Sequence, residues 1–183
     1  VADAVVVGSL LISLLRHSDR VTSASLAQLV NVIAPVMTDQ GGAAWRQTIF
    51  HPFALTSRFA RGDVLALDIR SPQYSTAKFG DVDLIDAVAT RDKTTGDVAI
   101  FLVNRGMEEP VTAQIGVRAL QSPTLSEAVV LSNPDWHWQA TAADSTSVAP
   151  RPATDLRLEA GELEVKLPPV SWVMIRLSSG VES

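Results

Sequence analysis

The 183-residue sequence contains no cysteine. This absence excludes disulfide bonds, thiolate catalysis and every zinc site that uses cysteine ligands. Histidine is also scarce. His17, His51 and His137 lie far apart and lack the spacing of metal ligands, so we expect no metal site.

Positive charge is too sparse for a nucleic-acid partner. The chain has 15 Lys and Arg against 20 Asp and Glu, and its net charge is −5. An apolar run over residues 5–15 covers about half of the ~20 residues that cross a bilayer. No positive charge precedes it and no small-residue cleavage site follows, so we predict a buried helix rather than a signal or membrane segment. Because the chain starts with Val1 inside this helix, we expect it to be part of a longer protein.

The first 60 residues are predicted to alternate helix and strand. A helix is predicted over 3–16 with Asp3 as N-cap, and a buried strand over 20–27. A second helix is predicted over 43–60, with a kink or restart at Pro52. This order is typical of an α/β fold.

Beyond residue 61 the pattern changes to short strands separated by turn residues. This spacing is typical of a β-sandwich. The predicted strands cover 63–70, 82–90, 97–104, 110–117, 124–131, 161–167 and 170–177. We therefore divide the chain into an α/β part, residues 1–61, and an all-β part, residues 62–183.

Few residues in the all-β part suggest catalysis. Paired carboxylates would suit glycoside hydrolysis, but the candidates lie near turns or on exposed faces, where solvated charges are the better interpretation. They are Asp81, Asp83, Asp86, Glu108, Glu109, Glu162 and Glu164.

Four tryptophans raise the question of sugar stacking. Trp136 and Trp138 would share a face in an extended segment, as a sugar platform or, more plausibly, as core. Trp172 is predicted to be core. Trp45 follows a loop and could either line a pocket or pack beneath a sheet.

Two amides interrupt an apolar run at residues 28–36, QLVNVIAPV. Buried amides cost free energy unless they find partners. Gln28 and Asn31 could simply tie down a loop. Alternatively, Gln28 closes the strand predicted over 20–27, which is where a (β/α)₈ barrel places substrate-binding groups.

Three segments in order, QLVNVIAPV, GGAAWRQTIFHPFALTSRFARG and LPPVSWVMIRL, resemble the C-terminal part of bacterial α-L-arabinofuranosidases of glycoside hydrolase family 51. The resemblance implies the end of a (β/α)₈ catalytic barrel in residues 1–61 (helix 7, strand 8 and helix 8), followed by a jelly-roll-type sandwich in 62–183. It implies a retaining, exo-acting enzyme that releases terminal arabinofuranosyl units from arabinan and arabinoxylan. Its acid/base and nucleophile glutamates lie upstream, so this chain contains no catalytic residue and should be inactive alone.

The resemblance also implies roles and partners. Gln28 matches the family glutamine that contacts the sugar in the −1 subsite, while Asn31 and Trp45 are assigned to site support. It implies no cofactor, a homo-oligomer that is often a hexamer, and a cytoplasmic location, with secretion as the alternative. Rival interpretations are a carbohydrate-binding module, a structural or oligomerisation sandwich, and a family 51 endoglucanase. The α/β residues 1–60 favour the arabinofuranosidase interpretation, because a free module has no use for them.

Overall fold

The structure, a computed structural model, describes residues 1–179. The elements follow in chain order: α1 (Ala2–Arg16), β1 (Val36–Thr38), β2 (Ala44–Arg46), α2 (Phe50–Phe59), β3 (Asp63–Leu65), β4 (Gln73–Thr76), β5 (Gly80–Asp83), β6 (Ile85–Arg91), β7 (Val98–Asn104), β8 (Val111–Gly116), β9 (Thr124–Leu131), β10 (Arg151–Pro152), β11 (Leu156–Glu159), β12 (Glu162–Leu167) and β13 (Ser171–Ser178).

Two antiparallel sheets form a β-sandwich, as predicted. A six-stranded sheet in the order β10-β9-β13-β7-β6-β3 faces a three-stranded sheet in the order β11-β12-β8. Strand β12 illustrates the pattern: Leu163, Val165 and Leu167 are buried, while the residues between them are exposed. Alternation of this kind places one face on a core and the other in water.

The six-stranded sheet is apolar on its outer face as well. Every residue of β7 is buried. One set of its side chains joins the core between the sheets. The other set, including Phe101 and Val103, packs with Trp172, Met174 and α1 in a second core.

Helix α1 covers this outer face with the side that carries Gly8. Its buried residues are Ala4, Val5, Gly8 and Ile12. Its last residue, Arg16, pairs with Asp86 of β6. Its opposite side remains uncovered, with Val6 and Leu10 58% and 59% exposed. No helix within residues 1–179 is long and apolar enough to cross a membrane.

The two helices predicted in the first 60 residues depart from the prediction. Helix α1 begins at Ala2 with Val1 as N-cap, so Asp3 lies in its first turn instead of capping it. The predicted helix over 43–60 is wrong in its first half: residues 44–46 form β2, which pairs with β1 as a hairpin. Helix α2 begins only at Phe50, which places Pro52 in the first turn, where a missing N–H costs nothing.

The strand predicted over 20–27 is also wrong for this chain. Residues 21–27 are irregular and mostly exposed. A strand of a parallel sheet takes its hydrogen bonds from neighbouring strands. None of the strands within residues 1–179 pairs with this segment.

The strands of the sandwich were predicted more accurately. Strand β9 has the predicted bounds, and β7, β8, β12 and β13 differ from them by one residue at either end. The strand predicted over 63–70 ends at Leu65, and that over 82–90 is divided between β5 and β6. The hairpin β4–β5 was not predicted.

Gly8 sets the distance between α1 and the sheet. A Cβ atom at this position would lie 2.4 Å from Cδ1 of Trp172 and 3.2 Å from Cγ1 of Val103. Gly8→Ala is therefore expected to lower the free energy of unfolding. Overpacking costs about 1–3 kcal/mol, which exceeds the ~1 kcal/mol that alanine gains in a helix. Chemical denaturation followed by tryptophan fluorescence measures the difference.

The matched control is Gly116→Ala in β8, where an added Cβ would meet no atom within 4 Å. Its stability should stay close to that of the parent protein. Equal stability of both variants would contradict close packing of α1 on Trp172.

Candidate substrate-binding loop

The segment between α1 and β1 has an unusual backbone. Gln28, Asn31 and Val32 have φ angles of 61°, 63° and 57°. Asparagine tolerates this left-handed region, but for a β-branched valine it costs about 1–3 kcal/mol. Such strain persists only where the surroundings impose it, and it often marks a functional segment. We call residues 28–35 the Gln28 loop.

Asn31 ties this loop to the following strand. Its Oδ1 accepts a hydrogen bond from the Thr38 backbone N–H at 2.7 Å, and its Nδ2 donates to Thr38 Oγ1 at 3.0 Å. The Asn31 backbone N–H also donates to the Val36 carbonyl at 2.8 Å. The amide of Asn31 thus has its partners in β1, directly after the loop, which is the loop-tying alternative raised by the sequence.

Several large apolar side chains of the loop are exposed, whereas Ala34 and Pro35 are buried. Leu29, Val32 and Ile33 are 76%, 80% and 65% exposed. Gln28 is exposed beside them. A contiguous exposed apolar patch of this kind marks a surface that another part of a protein or a ligand covers.

Trp45 lies in β2, directly opposite Met37 of β1, and is half-buried. Its Nε1 donates to the Ala140 carbonyl at 3.1 Å, and Gln47 Nε2 donates to the same oxygen at 3.0 Å. Trp45 therefore contacts the long connection between β9 and β10. Neither Gln47 nor Ala140 could be identified from the sequence, because the acceptor is a backbone carbonyl in an irregular segment.

Arg46, the last residue of β2, contributes a positive charge to the hairpin, whose turn carries Asp39. Arg46 lies over the Phe50 ring, 4.5 Å from its centroid. Burial lowers the pKa of His51, and the Arg46 guanidinium lowers it further. Both effects favour the neutral form of the His51 imidazole.

Three of the acidic candidates have structural partners. Asp86 pairs with both Arg16 and Arg105, the latter at 2.7 Å, and its side chain is largely buried. These pairs bind α1 to the sheet. Asp83 accepts a hydrogen bond from Gln73 at 2.9 Å, and Asp81 accepts one from Ser75, and both bonds lie within the β4–β5 hairpin.

A cavity of about 580 Å³ opens between β6 and β7 on one side and β8 on the other. Ile85, Leu102, Val111 and Ile115 contribute to its largely apolar wall, and Asp68 is its one carboxylate. Hydrolysis by two carboxylates therefore has no basis in this cavity. Within residues 1–179, no group of three or more His, Cys, Asp or Glu could hold a metal ion.

The tryptophan pair does not form a platform. The Trp138 backbone N–H donates to the Asp135 carbonyl at 3.1 Å, so the segment is a turn and not an extended strand. Both indoles are half-buried and pack against the core beneath α1. Trp172 is fully buried, as predicted.

Comparison with known proteins places these features in a family. Residues 1–171 match the model of the α-L-arabinofuranosidase C-terminal domain. An intracellular exo-α-(1→5)-L-arabinofuranosidase of Streptomyces lividans is 46% identical over 176 residues, which are 96% of this chain and 26% of that protein. An exo-α-(1→6)-L-arabinofuranosidase of Bifidobacterium longum is 44% identical, over 96% of this chain and 34% of that protein.

Solved structures agree with the sequence relatives. A family 51 α-L-arabinofuranosidase from Bifidobacterium longum superposes with a TM-score of 0.89 at 44% identity, covering 96% of this chain and 34% of that one. The chain thus spans between a quarter and about a third of the relatives it matches. With the family model matching 171 of 183 residues, this chain belongs to the α-L-arabinofuranosidase C-terminal domain family of glycoside hydrolase family 51.

Proposed function

We propose that this chain is the C-terminal part of a retaining, exo-acting α-L-arabinofuranosidase. The observation that carries the proposal is the 46% identity to an exo-α-L-arabinofuranosidase across 96% of the chain. The longer enzyme releases terminal arabinofuranosyl units from arabinan- or arabinoxylan-type saccharides. Relatives of nearly equal identity act on (1→5) and (1→6) linkages by name, so the proposal extends to the sugar and not to the linkage.

In this proposal the catalytic residues and the supporting structure lie in different parts of the enzyme. Retention requires two carboxyl groups about 5–5.5 Å apart across the scissile bond. Those glutamates lie upstream, and Asp86 of this chain pairs with Arg16 and Arg105, which holds α1 on the sandwich. The chain supplies the end of the barrel and the sandwich that supports it.

The uncovered surfaces of residues 1–61 support the barrel assignment. Val6 and Leu10 are exposed on the side of α1 that faces away from the sandwich. The irregular segment 21–27 mixes small polar residues with apolar ones, and no strand of the described residues 1–179 pairs with it. A helix and a strand of a (β/α)₈ barrel would be covered by the preceding strands and helices. Upstream residues of the same protein are therefore the partner we assign to these surfaces.

Gln28 is assigned to the substrate. It begins the exposed loop at the end of the segment that would be the eighth barrel strand. Its amide can donate to one sugar hydroxyl and accept from another without adding charge near an oxocarbenium-like transition state. Asn31 supports the loop through Thr38, and Trp45 supports the hairpin that follows it.

A free carbohydrate-binding module fits less well, because Trp136 and Trp138 are half-buried in a turn. We assign the sandwich a structural role. It covers one side of the barrel and contributes to the homo-oligomer, often a hexamer, that the family resemblance implies. Location in the cytoplasm follows from the proposal, in line with the intracellular relatives. Endoglucanase activity is the alternative within the family.

Gln28→Ala, made in the longer enzyme, is expected to lower kcat/KM on an aryl α-L-arabinofuranoside by about tenfold or more, because the hydrogen bonds to the sugar are lost from the transition state. The melting temperature should change little, since the side chain is exposed.

Gln40→Ala is the matched control, an exposed glutamine at the turn of the β1–β2 hairpin. It should retain the activity of the parent enzyme. Near-normal turnover by Gln28→Ala would refute the role of Gln28, and absence of arabinofuranosidase activity from the parent enzyme would refute the proposed function.

Asn31 supports the loop in two ways that variants can separate. Its side chain binds Thr38, and its backbone tolerates a φ of 63°. Asn31→Gly keeps the tolerance for φ 63° and removes the bonds to Thr38, whereas Asn31→Ala loses both. Amide exchange at Thr38 should be faster in both variants. Activity should fall further in Asn31→Ala, because alanine carries an added cost of about 1 kcal/mol in this backbone region. Unchanged exchange at Thr38 in either variant would contradict the contact.

A further inference from the structure

One carbonyl oxygen joins the candidate loop region to the sandwich. Ala140 lies in the connection between β9 and β10, residues 132–150, and is itself buried. Its oxygen accepts hydrogen bonds from Trp45 at 3.1 Å and Gln47 at 3.0 Å, residues 95 and 93 positions earlier. A carbonyl oxygen has two lone pairs, and both are used here.

We propose that this two-donor contact holds the Gln28 loop in its substrate-binding conformation, with Trp45 and Gln47 as positioning residues. The inference rests on the proposed function and deepens it. It gives the sandwich connection 132–150 a part in the reaction that the sandwich core does not have.

The acceptor side of the contact is firmly held. The Asp144 backbone N–H donates to Thr141 Oγ1 at 3.1 Å, and the Thr141 N–H donates back to the Asp144 carbonyl at 2.9 Å. Val148 is buried in the core beneath α1. The Trp136 carbonyl accepts the backbone N–H of Ala2 at 3.0 Å, at the start of α1. Ala140 therefore presents its oxygen from a segment with fixed ends.

The donor side is coupled to the Gln28 loop through the β1–β2 hairpin. The Gln47 backbone N–H donates to the Pro35 carbonyl at 2.8 Å, at the end of the loop. Trp45 is paired with Met37, one residue before the Thr38 that Asn31 binds. A shift of Trp45 and Gln47 relative to Ala140 would therefore be transmitted to Pro35, at the end of the Gln28 loop, and to Thr38, which Asn31 binds.

The loop needs such support from outside. Its outward side is exposed, and Val32 holds a φ of 57° at a cost of about 1–3 kcal/mol. A backbone of this kind relaxes when the structure around it no longer imposes it. Small displacements of a substrate-positioning group lower rates strongly, by as much as ~100-fold for 1 Å.

Because two donors share one acceptor, each single variant should lower kcat/KM less than the double variant does. Trp45→Phe and Gln47→Leu each remove one donor and leave the other in place. Each alone should lower kcat/KM by less than about threefold, and together they should lower it by about tenfold, since only the pair releases the hairpin.

The experiment is a cycle in the longer enzyme. The Trp45→Phe/Gln47→Leu pair is made in the parent enzyme and in Gln28→Ala, and kcat/KM is measured on an aryl α-L-arabinofuranoside. If the pair acts by positioning Gln28, it should cost about tenfold in the parent and nearly nothing in Gln28→Ala. Gln40→Leu, an exposed substitution on the same hairpin, should have no effect in either background.

Amide exchange on the same proteins separates this proposal from the proposed function. Residues 30–38 should exchange faster in the pair variant, and residues 98–104 in buried β7 should not. A tenfold loss that is equal in both backgrounds, unchanged exchange at 30–38, or an equal rise at 98–104 would each overturn the positioning role. An inactive parent enzyme would refute the proposed function, while the exchange would still decide whether the contact holds the loop.

Discussion

Strands β7 and β13 are buried along nearly their whole length, so the sheet that contains them must be covered on both faces. The three-stranded sheet covers one face and completes a sandwich core. The other face carries Phe101 and Trp172, which strands alone leave bare, and α1 covers it through the close approach that Gly8 permits. The sandwich and the first helix are therefore one packed unit, although they belong to different parts of the proposed enzyme.

This arrangement gives α1 two partners. The side that carries Ala4, Gly8 and Ile12 packs on the sandwich, while Val6 and Leu10 on the opposite side are exposed. The same outward exposure recurs in the Gln28 loop. In the proposed enzyme, upstream residues of the barrel would cover both surfaces. The sandwich would then do more than support the barrel, because its 132–150 connection reaches the hairpin beside the proposed sugar contact.

Sequence alone predicted the sandwich because alternating burial is a local property, as in β12 and β8. It failed over 20–27, where no strand within residues 1–179 supplies the hydrogen bonds that a strand needs, and over 43–49, where apolar spacing did not distinguish a hairpin from a helix. At the site, the position of the amides suggested Gln28 and the loop-tying alternative for Asn31. The contact of Trp45 and Gln47 with Ala140 could not be predicted, since a backbone carbonyl carries no sequence signal.

The most direct test is a crystal structure of the longer enzyme with arabinose bound. The account predicts that residues 20–27 form a strand paired on both sides. It also predicts that the Gln28 amide lies about 2.7–3.2 Å from a sugar hydroxyl. A barrel closed without residues 20–27, or a Gln28 side chain directed away from the bound sugar, would contradict it.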